Sequence, residues 1–357
     1  MHSLRFKTLQ CYKIKNMWNF NIESNWDRVK VLLESKKFIN QSVFGSFTLL
    51  NAWLEAYKPL RELQVIIVQG EADDGAECIF PLCIWKRNWK SGYIRSLIPI
   101  GYSDYDYNEP LFTIELSDIS AFWSDLFVYL RTALKGKYDK IQIPSIRNAY
   151  YPKSADWEQG ECCPQLKIAS MSTEEDLSKF LKTSLRGDIR RQIRRLQELG
   201  DFSFHTYKNM EEVESTFDAF MKAHINRWPN AYKAPGFHRT LLQQGLGKEV
   251  HFSSLNVNGF PIAWHLGFKY NGVYYYYMPC GDPEYLKFSP VKVHLFMLIV
   301  EAIKNGCKVY DHLRGEENYK QGWSDSTDYV WMYEECSSSV SSKLRLFLGD
   351  YIKTKLK

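Results

Sequence analysis

The sequence predicts an α+β or α/β fold in which two domains follow one another, each a central sheet flanked by helices. Three observations lead to this prediction. The chain has 357 residues, which is enough for two domains of ordinary size. The order helix, three strands, helix, strand occurs once in each half of the sequence. Asn-Gly pairs at residues 258–259 and 271–272 separate three strand-like runs by the two-residue turns that connect antiparallel neighbours.

Each element of the N-terminal half follows from its local pattern. Apolar residues at three- and four-residue spacing before Pro59 predict a helix, and apolar runs between turn-rich stretches predict strands. Pro144 closes the last of these strands. In order, the predicted elements are a helix over 47–57, strands over 63–68, 78–85 and 93–100, a helix over 118–134 and a strand over 140–143.

The C-terminal half repeats this order without repeating the sequence. Asn and Gly accept the positive φ of a type I′ turn, so the two Asn-Gly pairs predict a three-stranded meander. Asn305 and Gly306 form a good helix C-cap. The predicted elements are helices over 211–227 and 237–246, strands over 250–257, 261–270 and 273–279, a helix over 289–304, a strand over 308–313, and a strand over 329–334 with a terminal helix over 341–356 that complete this half.

A domain boundary is expected within residues 150–165. This stretch is rich in Pro, Gly and charged residues and has no clear periodicity. The predicted domains are therefore residues 1–160 and residues 161–357.

The composition is that of an ordinary globular protein. Hydrophobic residues make up 45% of the chain and charged residues 24%, which excludes wholesale disorder, collagen-like repeats and a coiled-coil rod. The formal net charge of +5 is too small for a dedicated nucleic-acid-binding protein, although it is compatible with an anionic ligand.

A cytoplasmic location is expected. No apolar run approaches the roughly 20 residues of a membrane-spanning helix, and residues 1–18 lack the apolar segment of a secretory signal. The eight cysteines show neither a CxxC pair nor zinc-ligand spacing, and no histidine has a partner at metal-ligand spacing. We therefore interpret the cysteines as reduced core thiols and expect no metal site.

Residues 185–199 predict a basic amphipathic helix. At 100° per residue, apolar side chains gather on one side, and the opposite side carries Arg186, Arg190, Arg191, Arg194 and Arg195. Arginines can form bidentate bonds to phosphate oxygens, so this face predicts a phosphate-bearing ligand. The alternative is a solvated charged face without a specific ligand.

Two further segments carry candidate polar residues. His224 lies one helical turn before Trp228, so the imidazole and the indole share a face, and such a histidine is either a general base or a packing residue. Residues 101–107 combine acids and tyrosines after a strand, including Asp104 and Tyr105. This segment lines a sugar-sized cleft or is a solvated turn.

The densest polar cluster is residues 311–323, DHLRGEENYKQGW. Asp311 lies on an otherwise apolar strand face, and a buried carboxylate needs a partner, for which Arg314 and Lys320 are the nearby candidates. Glu316 and Lys320 have the spacing of a helical ion pair. A surface loop with salt bridges is the alternative to a functional loop at the end of a strand.

These motifs resemble the CelD/BcsL-type acyltransferases of the GNAT superfamily, which are relatives of the FemAB-like peptidyltransferases. The resemblance extends over about residues 44–331, and residues 311–323 are its most specific part. The other matching stretches are Pro81 with Leu82, residues 101–105, the arginine helix, residues 224–228, residues 259–263, and Ser289 with Pro290.

The resemblance implies two tandem GNAT-like domains, each with a mixed central sheet, and an enzyme that transfers an acyl group from acyl-CoA, such as acetyl-CoA. It also implies an amino or hydroxyl acceptor on a sugar or nucleotide sugar in bacterial surface-polysaccharide synthesis. In such a fold the pyrophosphate lies at the start of a helix. Here that position is Ser289, Pro290, Val291 and Lys292, and Val291 stands where relatives usually have glycine.

The same resemblance implies roles for individual residues. Asp311 is the expected general base and His224 the second candidate, with Glu316 and Lys320 in contact with the acceptor or the donor. Arg190 and Arg194 are expected at the cofactor. The expected substrate-binding residues are Asp104, Tyr105, Arg227, Trp228, Arg314, Tyr319 and Trp323, of which Tyr319 and Trp323 wall the cleft.

Two other functions remain open from the sequence. A FemAB-like ligase that uses aminoacyl-tRNA would hold RNA phosphates on the arginine helix. A non-catalytic carbohydrate-binding protein on a degenerate GNAT fold would stack Tyr and Trp side chains on sugars.

Overall fold

The structure is a computed structural model that describes residues 17–229 and 233–355. Its strands form one continuous sheet flanked by helices. The strands are β1 (Trp18–Glu23), β2 (Glu62–Ala72), β3 (Glu77–Lys86), β4 (Arg95–Pro99), β5 (Leu111–Phe112), β6 (Lys140–Arg147), β7 (Trp157–Lys167), β8 (Phe202–Thr206), β9 (Val250–Val257), β10 (Phe260–Tyr270), β11 (Val273–Gly281), β12 (Val309–Asp311) and β13 (Ser326–Cys336). The helices are α1 (Trp26–Ser35), α2 (Phe47–Tyr57), α3 (Ile119–Ala133), α4 (Glu174–Phe180), α5 (Thr183–Gln197), α6 (Met210–Glu214), α7 (Phe217–Arg227), α8 (Phe237–Gly245), α9 (Pro290–Lys304) and α10 (Val340–Lys355).

Both halves contain the predicted order of elements. The order is α2, β2, β3, β4, α3 and β6 in the N-terminal half, and α8, β9, β10, β11, α9 and β12 in the C-terminal half. Strands β9, β10 and β11 pair antiparallel in sequence order. Asn258 and Asn271 have φ values of 52° and 47°, as the turns between these strands require. The predicted meander is confirmed.

Several predicted elements differ in extent, among them the strand predicted over 308–313, which ends at Asp311. Two of the differences have a clear local cause. The helix predicted over 211–227 is divided into α6 and α7, because Thr216 leaves the helical conformation and its buried hydroxyl accepts a hydrogen bond from Trp264 at 2.7 Å. Strand β6 continues through Pro144 to Arg147. The β13 ladder has a register shift beside Pro144, so the missing N–H breaks no pairing.

Several elements were not predicted from the sequence. Strand β7 lies in the stretch expected to be a boundary, and the Pro, Gly and charged residues of that stretch concealed it. Strands β1, β5 and β8 and helices α1 and α4 are short or weakly periodic. The expectations that concern residues 1–16, including Cys11, lie outside the described residues.

The two halves have the same strand pairing. In the N-terminal half, β1, β2, β3 and β4 pair antiparallel in sequence order, and β6 lies parallel to β4. In the C-terminal half, β8, β9, β10 and β11 pair antiparallel, and β12 lies parallel to β11. Each half therefore contains one parallel pair, at the position where its strand order changes from consecutive neighbours to a helical crossover.

The final strand of each half is exchanged with the other half. Strand β7 follows β6 in the chain but pairs with β12, whereas β13 follows β12 but pairs with β6. Strands β7 and β13 also pair with each other, which joins the two half-sheets. The expected boundary between residues 160 and 161 falls within β7. Strand β13 and helix α10 were assigned to the C-terminal domain, but both contact the N-terminal half. The division into two domains itself remains a prediction.

The largest apolar core contains side chains from both halves. Helix α2 packs against α8, and the rings of Tyr57 and Phe237 on these helices lie 6.4 Å apart between centroids. The ring centroids of Phe44 and of Phe268 on β10 lie 5.7 Å apart. Burial of these aromatic side chains stabilises the contact between the halves as well as each half.

Asp139 attaches α10 to the start of β6. The buried Asp139 carboxylate accepts hydrogen bonds from Arg95 at 2.9 Å, Arg345 at 2.8 Å and Ser342 at 2.6 Å. Burial by itself raises the pKa of a carboxyl group, but the bonds from Arg95, Arg345 and Ser342 hold the pKa of Asp139 well below its usual range.

The substitution Asp139→Ala is expected to lower the free energy of unfolding by about 3 kcal/mol, because two arginines lose their common partner. Urea denaturation at pH 7 measures this change. The control Glu62→Ala removes only an exposed pair with Lys86, so it is expected to cost less than about 1 kcal/mol. Since the folded-state pKa of Asp139 is depressed, its contribution is present above about pH 4 and is lost as the pH falls. Equal stability of Asp139→Ala and wild type at pH 7 would contradict this anchoring role.

Candidate functional site

The candidate site lies where the parallel strands β11 and β12 separate. Their pairing covers Val273 with Val309 through Tyr275 with Asp311. Beyond that point β11 continues to Gly281 along β10, whereas the chain after Asp311 turns towards β7, where the His312 N–H donates to the Pro164 carbonyl at 3.0 Å. The two segments therefore form a V that is open at the carboxyl ends of the strands.

A cavity of about 280 Å³ occupies this V. One wall is Tyr276 to Pro279 on β11, and the opposite wall is His312, Leu313 and Arg314 after β12. Helix α7 contributes His224, and the following residues contribute Trp228. The third side comes from the N-terminal half, whose loop after β4 contributes Ser103, Asp104 and Asp106.

The equivalent V of the N-terminal half is filled by its own chain. Strands β4 and β6 pair only at Ser96 with Lys140 and Leu97 with Ile141. Beyond them, the Asn108 N–H donates to the Ser145 carbonyl at 3.0 Å, and its side-chain amide donates to the Pro144 carbonyl at 3.3 Å. The loop that fills this V is the one that continues into the cavity of the C-terminal half.

His312 is a buried imidazole in the cavity wall. Its Nε2 lies 3.2 Å from the Trp323 carbonyl oxygen, which can only accept, so Nε2 carries the proton. Nδ1 is then the acceptor nitrogen, and it is buried without a hydrogen-bond partner among the described residues. Burial lowers the pKa of His312 to about 3, so the ring is neutral at pH 7. His312 thus places a neutral ring in the cavity wall, with an acceptor nitrogen that no described residue satisfies.

His224 lies in the cavity, as expected from its place beside Trp228. The imidazole is largely buried, and burial followed by the nearby Arg227 charge lowers its pKa to about 4. Arg227 and Trp228 also line the cavity, with the Arg227 guanidinium 5.6 Å from the Trp228 ring centroid. Three residues of the predicted motif are therefore brought together.

Asp311 does not line the cavity. Its carboxylate is buried behind the wall and accepts hydrogen bonds from the Tyr107 hydroxyl at 3.0 Å, the Gln165 amide at 2.9 Å and the Leu313 N–H at 2.8 Å. These partners replace Arg314 and Lys320, the partners predicted from the sequence. With both oxygens engaged away from the cavity, the position argues against the expected role of Asp311 as general base.

The loop after β12 also differs from the prediction. Lys320 is buried and donates to the Arg314 carbonyl at 2.6 Å, and its ion pair is with Glu317 at 3.0 Å. Glu316 is exposed and lies outside the cavity, so the expected pair of Glu316 with Lys320 is wrong. The backbone here is a turn that leads into a 3-10 helix at Lys320–Gly322, and its three-residue spacing brings Glu317 to the ammonium group. Arg314 lines the cavity and donates to Asp106 at 3.1 Å.

The remaining expected substrate residues divide into two groups. Asp104 and Tyr319 line the cavity, and Asp104 accepts from Trp53 at 2.9 Å and from Tyr57 at 2.8 Å. Tyr105 and Trp323 are fully buried core residues and do not line it. The aromatic side chains of both pack with apolar neighbours, which the sequence could not distinguish from a cleft wall.

At the start of α9, side chains are better placed than backbone N–H groups to bind a phosphate. Pro290 has no N–H, and the N–H groups of Lys292 and Val293 both donate to the Ser289 carbonyl at 3.1 and 3.2 Å. Val291 packs against Gly281, where a Cβ would approach it to 2.8 Å. The backbone therefore offers few free donors to a pyrophosphate.

Helix α5 and the start of α9 each bring one cation to this place, Arg195 and Lys292. Helix α5 packs against α9, and Arg195 donates to the Lys287 carbonyl at 3.2 Å just before Ser289. Lys292 pairs with Asp188 of α5 at 2.7 Å. Arg190 and Arg194 are exposed on the same helix. A phosphate at this position would be held by arginine and lysine side chains.

The sequence matches a known family over part of its C-terminal half. Residues 183–321 match the acetyltransferase (GNAT) domain. No curated protein matches the chain in sequence. The V between β11 and β12 lies within the matched GNAT region, and so does the start of α9.

Solved structures show the same fold over nearly the whole chain. The crystal structure of FemX is 11% identical, with a TM-score of 0.59 and coverage of 91% of this chain and 99% of that one. A conserved protein of unknown function from Bacteroides thetaiotaomicron is 13% identical, with a TM-score of 0.54 and coverage of 88% and 99%. A tandem GNAT protein from the clavulanic acid biosynthesis pathway is 9% identical, with a TM-score of 0.50 and coverage of 90% and 100%.

These similarities confirm the predicted fold class, a mixed α+β GNAT-like fold with a large mixed sheet flanked by helices. The GNAT domain suggests acyltransferase activity and the use of acyl-CoA. The narrower resemblance to the CelD/BcsL type remains a prediction. Within residues 17–229 and 233–355, no group of side chains could hold a metal ion and no helix is long and apolar enough to span a bilayer.

The sequence reasoning missed His312, Glu317 and Asp106. His312 lies inside the motif DHLRG, but strand alternation directed attention to the opposite face, that of Asp311. Strand β12 ends at Asp311, so the alternation no longer applies one residue later. Asp106 belongs to the candidate segment 101–107, and no local signal distinguishes it from Tyr105.

Proposed function

We propose that the protein transfers an acyl group from acyl-CoA, such as acetyl-CoA, to an amino or hydroxyl group of an acceptor held in the cavity. The observation that carries this proposal is the V between β11 and β12, which is open in the GNAT-matched half and filled in the other half. An open pair of parallel strands gives a thioester access to an acceptor on the other side of the sheet edge.

We further propose that the acceptor is a sugar, either an amino sugar or a nucleotide sugar of bacterial surface-polysaccharide synthesis. The exposed rings of Trp228 and Tyr319 suit stacking on a sugar face. Asp104 and Glu317 provide carboxylate oxygens for hydroxyl or amino groups, and Arg227 provides a cation for a phosphate.

Bound acyl-CoA supplies an acyl carbonyl that is already activated as a thioester. In this proposal, Nδ1 of His312 accepts the hydrogen bond of the acceptor N–H or O–H and so directs the lone pair of the acceptor atom towards the carbonyl carbon. The new C–N or C–O bond would replace the C–S bond of the thioester, and the acceptor proton would leave with the sulfur as free CoA thiol. The bond from Nε2 to the Trp323 carbonyl fixes the ring orientation and the tautomer. Lys320, held by Glu317 and two backbone carbonyls, is a rigid part of the same wall.

Incubation with a panel of acyl-CoAs and amino sugars or nucleotide sugars tests the proposed function. Mass spectrometry is expected to detect the acylated sugar together with an equal amount of free CoA. Binding of a glycan without release of free CoA would instead support the non-catalytic carbohydrate-binding alternative.

The second candidate is an aminoacyl-tRNA-dependent ligase. The scarcity of free backbone donors at the start of α9 and the exposed arginines of α5 favour it, since RNA phosphates need charged side chains and no pyrophosphate cradle. A product that forms with aminoacyl-tRNA and not with any acyl-CoA would replace the first proposal by this one.

The double substitution Arg190→Ala with Arg194→Ala is expected to weaken binding of the phosphate-bearing donor. Loss of two charge-assisted contacts predicts about a 10- to 100-fold rise in Kd for a CoA ester, measured by calorimetry. If the donor is tRNA, the slope of log K against log salt is expected to fall by about 2. Lys135→Ala with Lys137→Ala removes two exposed cations elsewhere and is expected to change neither quantity. Unchanged donor affinity in the arginine variant would exclude α5 from the donor site.

A further inference from the structure

Helix α10 exposes a continuous apolar stripe. Its members recur at intervals of three and four residues, which places them on one side of a helix. The exposed fractions are 83% for Val340, 58% for Leu344, 67% for Phe347 and 55% for Tyr351, and Leu348 at the edge is also exposed. We call these five residues the exposed stripe. Apolar surface of this extent on a helix marks an interaction site.

The exposed stripe points away from the rest of the protein. On the opposite side of α10, Ser342 and Gly349 are buried, and Ser342 with Arg345 is bound to Asp139. Gly349 lies so close to the Ser91 carbonyl that a Cβ would come within 2.9 Å of it. The helix is therefore fixed through its small and polar side, and rotation cannot bring the stripe inside without loss of these contacts.

The surroundings of the exposed stripe are basic and aromatic. At 100° per residue, Lys343 and Lys355 flank it on its two sides, and Asp350 lies beside Lys343. Lys353 lies towards the buried side, so the helix carries three lysines against one acid. The turn at Trp89–Ser91, which contacts α10, has an exposed Trp89, and Tyr93 next to it is exposed as well. Apolar side chains bordered by lysines, with Trp and Tyr nearby, are typical of helices that lie in a membrane interface.

We propose that α10 docks the protein on the surface of an anionic lipid bilayer, with the exposed stripe among the acyl chains and the flanking lysines at the phosphate groups. The occupant follows from the charge. A second copy of α10 carries the same excess of lysines over acids, so two such helices would meet with like net charge. Anionic headgroups neutralise the same lysines. Docking is peripheral and reversible, since one helix of this length lies on the bilayer and does not span it.

Co-sedimentation of the full chain with vesicles tests this proposal. The wild type is expected to bind vesicles of 70% phosphatidylcholine and 30% phosphatidylglycerol, to bind pure phosphatidylcholine at least about 10-fold more weakly, and to lose binding in 0.5 M NaCl. The substitution Leu344→Ser with Phe347→Ser is expected to reduce binding to the anionic vesicles at least about 10-fold. The matched control Ile114→Ser with Phe260→Ser removes exposed apolar side chains elsewhere and is expected to bind as wild type.

A second variant tests the proposal through the lysines and leaves the apolar side chains unchanged. Lys343→Glu with Lys355→Glu alters exposed charges alone and is expected to lose the preference for anionic vesicles. Equal binding of this variant and wild type to anionic vesicles would overturn the proposal, as would a wild type that stays in the supernatant. A wild type that is dimeric by light scattering, and monomeric after Leu344→Ser with Phe347→Ser, would assign the exposed stripe to a second copy instead.

Discussion

The substitution His312→Gln is expected to lower kcat for acyl transfer by about 100-fold or more while the melting temperature changes little. The Gln amide can still donate to the Trp323 carbonyl in place of Nε2, but it offers no acceptor at the position of Nδ1. The measurement is initial rate of free CoA release at saturating donor, together with thermal unfolding.

The substitution His312→Asn is the matched control, because its side-chain oxygen can take the place of Nδ1 while the bond to Trp323 is lost. Partial recovery of kcat in His312→Asn relative to His312→Gln would identify hydrogen-bond acceptance as the function of Nδ1. Since burial places the pKa of His312 at about 3, no loss of rate from protonation of this ring is expected between pH 5 and pH 8. Full activity of His312→Gln, with loss of activity in His224→Asn, would transfer the role to His224.

The substitution Asp311→Ala is expected to lower the free energy of unfolding at pH 7 by about 3 kcal/mol. It leaves the Tyr107 hydroxyl, the Gln165 amide and the Leu313 N–H buried without their common acceptor. Urea denaturation measures the change. A variant as stable as wild type but inactive would show that Asp311 acts in the reaction and that its buried position is not its main role.

The charge of Asp311 also predicts a pH dependence. Burial raises its pKa from the usual 3.8 to about 6, although the Leu313 N–H and Tyr107 oppose the rise. Because the folded-state pKa lies above the unfolded value, the contribution of the protonated form is complete below about pH 4 and is lost as the pH rises through 6. The loss amounts to about 3 kcal/mol. Asp311→Asn, which stays neutral, is expected to remove this decline from a plot of unfolding free energy against pH.

Turn residues and apolar periodicity predicted those helices and strands that are determined by their own residues. The Asn-Gly turns defined the meander of β9, β10 and β11, and the periodicity before Pro59 predicted α2 with the bounds that the structure has. The exchange of β7 and β13 has no such signal. Strand β13 pairs with β6 across nearly two hundred residues of sequence, as in the pair of Glu334 with Gln142. The choice of a strand partner so far along the chain leaves no pattern in the sequence of either strand.

The candidate site was predicted in its location and only partly in its members. His224, Arg227 and Trp228 reach the cavity because helical spacing fixes their common face, and this geometry holds wherever the helix packs. Burial of Tyr105, Asp311 and Trp323 depends on which elements cover them, and these come from distant parts of the chain. The pairing of Lys320 with Glu317 depends on the turn into the 3-10 helix at Lys320–Gly322, where three-residue spacing replaces the expected four-residue spacing.

The reciprocal placement of β7 and β13 makes the two halves interdependent. A fragment that ends after β6 would present a bare strand edge with unpaired N–H and carbonyl groups, and the complementary fragment would retain β13 without its partner β6. The two halves therefore cannot be separated without breaking backbone pairing, even though they repeat the same order of strands and helices. Each half supplies the strand that completes the sheet of the other half, so neither half-sheet is complete on its own.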